Sequence, residues 1–154
     1  MSGRRVLVVI SLLLAQPAVA CSLSRGYESF LPERATNGQA AADPQVRIVV
    51  DSIQRGRKGD GGTCADIGFL VLKVPAERLG YRFEVVEGDL AVMFPQEFVQ
   101  PVAPGLIGFT WIDGNTDEQE PIRAVVRVTA MSTTGAQSEP WLLTIEDAGR
   151  PPGR

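Results

Sequence analysis

The residues best placed to do chemistry lie at 113–120, D-G-N-T-D-E-Q-E, where oxygen-bearing side chains recur at short intervals. Asp113, Asn115, Asp117 and Glu120 form a candidate calcium set, because Ca²⁺ takes six to eight oxygen ligands and such spacing can wrap several around one ion. The stretch is no EF-hand: its glycine is out of place, the twelve-residue spacing fails and no flanking helices are expected. Asp, Asn and Gly also form turns through local hydrogen bonds, and the turn reading stands beside the calcium one. The carboxylates of Asp113, Asp117, Glu118 and Glu120 could otherwise act as a general acid and base on a carbohydrate. That chemistry depends on their separation in space, which spacing in sequence does not provide.

Other chemistries are excluded more simply. The 154 residues contain no histidine, which removes Ser-His-Asp and Cys-His nucleophiles and histidine-bound zinc. Cys21 and Cys64 are too far apart to be a short metal-binding pair. The glycine-rich run at 55–62, R-G-R-K-G-D-G-G, lacks the G-K-[ST] ending of a P-loop and does not join a strand to a helix. Arg55, Arg57 and Lys58 read as a solvated turn in a mobile loop. With a formal charge of −3, nucleic acid is not an expected partner. The expectation is a protein that is not an enzyme and carries no cofactor unless calcium is one.

The ends of the chain point to export. Arg4 and Arg5 precede an apolar run at 6–14, and Ala18-Val19-Ala20 fits a small-x-small cleavage site, so residues 1–20 read as a signal peptide. Their removal takes the charge to −5 and leaves 134 residues, enough for one domain with its own core. Cys21 would then begin the mature chain, and A-V-A-C resembles a bacterial lipoprotein junction, which implies acylation of Cys21 and a lipid anchor. Alternatively Cys21 pairs with Cys64 in a disulfide, as exported proteins permit. An acylated thiol cannot pair, so the two readings exclude each other.

What must position these residues is a set of strands. Residues 122–130 place Ile122, Ala124, Val126, Val128 and Ala130 on one face, and 141–145 do the same with Trp141, Leu143 and Ile145. A turn containing Gly135 joins the two runs, which predicts a hairpin. Further strands are expected at 46–51, 64–74, 81–86, 90–94 and 106–112, about seven in all, with 97–104 as an irregular crossover or edge. Pro75 and Pro95 close two of them. No long amphipathic helix is present to build βαβ crossovers, so the class is all-β, an antiparallel sandwich over residues 44–147. Residues 21–43 are expected as an N-terminal extension or tether, and 148–154 as a disordered tail.

The run V-R-V-T-A at 126–130, with Gly135, Ser138-Glu139-Pro140 and the closing strand, resembles the last two strands of fibronectin type III and related immunoglobulin-like domains. Pro44, Val46 and Ile48 likewise resemble the first strand of bacterial immunoglobulin-like modules. Ala124 stands where type III domains carry the corner tyrosine, and no RGD motif is present. The resemblance implies an immunoglobulin-like sandwich that recognises a protein or glycan in the cell envelope, from the periplasm, the outer membrane or outside the cell. The loops at 55–62 and 113–120 are its candidate contacts. A second expectation is a structural subunit that joins an envelope assembly by edge-strand addition.

Overall fold

The computed structural model describes residues 26–33, 47–56, 66–90, 94–114 and 118–150. Among them lie eight strands: β1 (Tyr27–Ser29), β2 (Val49–Gln54), β3 (Ile67–Lys73), β4 (Leu79–Glu87), β5 (Val99–Pro101), β6 (Leu106–Ile112), β7 (Ile122–Ser132) and β8 (Trp141–Asp147). They form two antiparallel sheets, ordered β1-β5-β4-β7-β8 and β2-β3-β6. No helix occurs among the described residues. The fold is an all-β sandwich.

The apolar alternation of the hairpin becomes the centre of the core. Ala124, Val126, Val128 and Ala130 on β7 are fully buried, and Leu143 and Ile145 on β8 lie beside them. From the opposing sheet come Leu70 and Leu72 on β3 and Ile107 and Phe109 on β6. Every second residue of each strand points inward because the side-chain period of a strand is two. The outer face of the larger sheet is polar, with Arg127–Glu84 at 2.9 Å and Arg123–Glu146 at 3.4 Å.

Four stretches depart from the expected pattern. β2 starts three residues after Val46 and runs on to Gln54, and its register shifts between Val50 and Ser52. The extra residue, Asp51, lets Val50 and Ile53 both face the core. Residues 90–94 do not supply a strand at their described ends: Leu90 and Phe94 are buried outside the ladders, and 91–93 lie outside the described residues. β5 lies within the span read as an edge or crossover, and joins β1 to β4. β1 comes from the segment expected to be an extension or tether. It pairs with β5 and sends Phe30 into the fold, where only 4% of its surface is exposed.

Phe30 is seated because residue 80 has no side chain. A Cβ on Gly80 would come within 2.4 Å of Phe30 Cγ, and Cγ cannot swing away as a flexible tip can. Gly80→Ala should therefore overpack this site and cost about 1–3 kcal/mol. Amide exchange at Tyr27–Phe30 should accelerate first, which hydrogen-exchange mass spectrometry can read. A neighbouring core residue carries the opposite defect. Tyr81 is wholly buried and its hydroxyl has no hydrogen-bond partner. Burial, with the negative charge of Glu77 adding to it, pushes its phenol well above the usual range. Tyr81→Phe removes the unsatisfied group and should raise the unfolding free energy by about 1 kcal/mol in chemical denaturation.

Candidate functional site

At one end of the sandwich the chain leaves β2 and β6, enters β7 and leaves β8, and these four segments meet on one arginine. Arg55 Nε donates to both carboxylate oxygens of Asp113, at 3.0 and 2.8 Å. Its Nη1 donates to Asp147 Oδ1 at 2.8 Å and to the Glu120 carbonyl at 3.1 Å. The Asp113 carboxylate also accepts from the Gly56 N–H at 2.7 Å, Trp111 Nε1 at 3.1 Å and Gln119 Nε2 at 3.0 Å. Its side chain is 4% exposed and that of Arg55 is 11% exposed. A charge withdrawn this far from water requires full pairing, and both ions have it.

The chain beyond β8 completes the cluster. Gln119 and Arg150 exchange backbone hydrogen bonds at 2.8 and 2.9 Å, and Arg150 Nη2 donates to the Gly56 carbonyl at 2.5 Å. Ordered pairing thus extends to Arg150, inside the stretch read as a disordered tail; residues 151–154 lie outside the described ones. Gly149 makes the approach possible, with φ at +67° and a hydrogen bond from its N–H to Asp147 Oδ1. A Cβ there would collide with the Gln119 carbonyl.

Burial alone would raise the Asp113 carboxyl pKa. The hydrogen bonds from Arg55, Gly56 and Trp111, with the charge of Arg55, outweigh it and hold the carboxyl below its ordinary value. For Arg55 burial works downward, and its bonds to Asp113 and Asp147 win, raising the guanidinium further. A carboxyl with a depressed folded pKa stabilises the fold fully above its unfolded value of about 3.9, and that stability is lost as pH falls through the folded value. As pH falls below about 4 the protein should lose stability more steeply than Asp113→Asn, which has no proton to take up there. Urea midpoints across that range test the difference.

Beside the cluster a cleft of about 390 Å³ opens between the ends of the two sheets. Trp111, Leu90 and Ile122 give it apolar walls, and the exposed Asp89, Glu120 and Arg123 give it charge. The candidate residues of the sequence divide here. Asp113 and Glu120 line the cleft, while Asn115 and Asp117 lie outside the described residues, as do Cys21 and Cys64. Asp113 turns its oxygens to Arg55, and calcium would have to displace a protein cation from it. Among the described residues, no three Asp, Glu, Cys or His side chains gather in a way that could hold a metal ion. Arg55, expected in a mobile solvated loop, is instead the buried centre of the cluster. No local signal marks it, since its partners stand 58 and 92 residues away. Trp111 packs one edge over Gly68 and also lines the cleft.

Comparison with protein-family models, with curated proteins and with solved structures finds no match to this chain.

Proposed function

We propose that this chain is an exported immunoglobulin-like domain that works without catalysis, binding an envelope glycan or protein segment in the cleft beside Trp111. The strand order supports the finer fold assignment. With β2, β3 and β6 as strands A, B and E, and β5, β4, β7 and β8 as C′, C, F and G, the two sheets follow the immunoglobulin arrangement. β1 is an addition at the C′ edge.

The observation that carries the binding reading is the cleft itself. Its volume lies within the range of small-ligand sites, and its mixture of apolar wall and charged rim is the composition such sites use. The indole and the aliphatic walls suit the carbon face of a sugar ring, and Asp89, Glu120 and Arg123 suit its hydroxyls. Catalysis by carboxylates is less favoured, because Asp113 is held ionised against Arg55 and is not poised to exchange a proton. Export rests on the reading of residues 1–20, and Cys21 leaves two fates, acylation or a disulfide with Cys64. Intact mass of the native mature protein separates them.

Binding is tested by titrating the mature protein with purified envelope polysaccharides and with soluble envelope protein fractions, following tryptophan fluorescence. A saturable change is expected, weakened about tenfold or more in an Asp89→Ala, Glu120→Ala double variant that melts like the parent, a loss of the size two good polar contacts give. Binding untouched by that variant, or none by either class, would overturn the reading.

A further inference from the structure

The four outer edges of the two sheets are not treated alike. β1 is three residues long, β2 carries the Asp51 irregularity, and β6 is met by Gly26, whose carbonyl accepts from the Gly108 N–H. Short strands, bulges and covering segments are the devices that keep an edge from pairing with another chain. β8 is not short, and the register shift and proline of its hairpin fall before Trp141, at Glu139-Pro140. The strand runs seven residues, W-L-L-T-I-E-D, without proline, lysine or a register shift against β7, and among the described residues no strand pairs with its outer side.

The hydrogen bonding of the hairpin shows which β8 residues face outward. Ser138 N–H donates to the Ala130 carbonyl and Ala130 N–H donates to Ser138 Oγ, so the backbone of Ala130 faces the β8 side. By alternation Val128, Val126 and Ala124 face that side too, and their partners Trp141, Leu143 and Ile145 face back. The N–H and C=O groups of Leu142, Thr144 and Glu146 therefore point away from the sheet, beside a Leu142 side chain that is 63% exposed.

We propose that β8 pairs antiparallel with β8 of a second copy of this chain, centred on Thr144, joining two five-stranded sheets into one of ten. The partner is a second copy because the strand is complementary to itself. Overlap of all seven residues places Thr144 opposite Thr144, Leu142 opposite Glu146 and Trp141 opposite Asp147, and opposes no like charges. Both acids sit at one end, so a parallel pairing would stack them and the antiparallel one separates them. Sliding the centre to Leu143 would oppose Glu139 to Asp147 and bring Pro140, which has no N–H, into the ladder. The arrangement is two-fold and closed, so it stops at a dimer. It does not depend on the cleft and is compatible with its occupancy.

Analytical ultracentrifugation of the mature full-length protein should show a reversible, concentration-dependent dimer. Leu142→Glu should weaken it about tenfold or more, by setting a second carboxylate opposite Glu146 at both ends of the shared ladder. Thr144→Pro should abolish it while keeping the parent's melting behaviour, because its lost N–H faces outward and not into the β7 ladder. In a hydrogen-bonded antiparallel pair opposed Cα atoms lie about 5.5 Å apart, within reach of a disulfide. Thr144→Cys should therefore cross-link into dimers under mild oxidation beyond any background from Cys21 and Cys64, and Leu142→Cys should not. A monomer at every concentration overturns the proposal. So does a dimer indifferent to Leu142→Glu, or one cross-linked equally well from position 142.

Discussion

Asp113→Ala is expected to lower the unfolding free energy by about 3–5 kcal/mol, the range for removing one partner of a buried ion pair. The reason is what the substitution leaves behind. Arg55 would keep Asp147 and the Glu120 carbonyl, but its Nε would face no acceptor in a site where only 11% of its side chain reaches solvent. The Gly56 N–H and Trp111 Nε1 would lose their acceptor as well, and each orphaned donor adds to the cost. Against a total stability of about 5–15 kcal/mol for an ordinary domain, that loss endangers folding itself. Equilibrium urea unfolding measures it. The companion change Arg55→Met should be nearly as costly alone, because it strands Asp113. Joined with Asp113→Leu it should cost much less than the sum of the singles, since both charges then leave together. A loss below about 1 kcal/mol for Asp113→Ala would put the pair in the class of solvated surface ion pairs.

The contrast between this cluster and the hairpin shows which parts of the molecule local sequence can express. Val126, Val128 and Leu143 disclose their face because burial repeats every two residues, and a reader needs only their neighbours to see it. The antiparallel sandwich follows from such runs together with the absence of amphipathic helices. β1 and β5 are less legible because three-residue strands have no period to display, and their pairing depends on Phe30 finding the space over Gly80. Asp51 hides its role for a related reason: a bulge breaks the alternation by which strands are recognised. The Arg55–Asp113 pair is illegible on principle. Arg55 sits among glycines and charges that usually stay solvated, and nothing in that stretch tells that β6 will deliver a carboxylate to it. The oxygens of Asp113 do bind a cation, but one supplied by the protein.

The second large effect lies in the core, at Phe109. Phe109→Ala is expected to cost about 3–5 kcal/mol, at the upper end for large-to-small changes. The side chain is 1% exposed, and its ring is the meeting point of rings from separate parts of the chain. Phe94 stands edge-on with centroids 4.8 Å away, Phe83 edge-on at 5.3 Å and Tyr27 tilted at 5.2 Å. Phe83 and Phe94 stack on each other at 5.3 Å, so neither can swing into the vacated space without giving up a second contact. The cost of a cavity depends on how far its walls can relax, and these walls are anchored on β4, on β1 and in the connection after β4. Phe109→Leu should retain most of the packing and cost well under half as much. The damage should also spread unevenly. Tyr27 is held to the body by Phe109 and by the three-residue pairing of β1 with β5, so amides of β1 should exchange faster at a denaturant concentration that leaves β7 protected. Uniform loss of protection along β1 and β7 would instead mean that the smaller sheet's packing, and not the aromatic junction, holds the first strand.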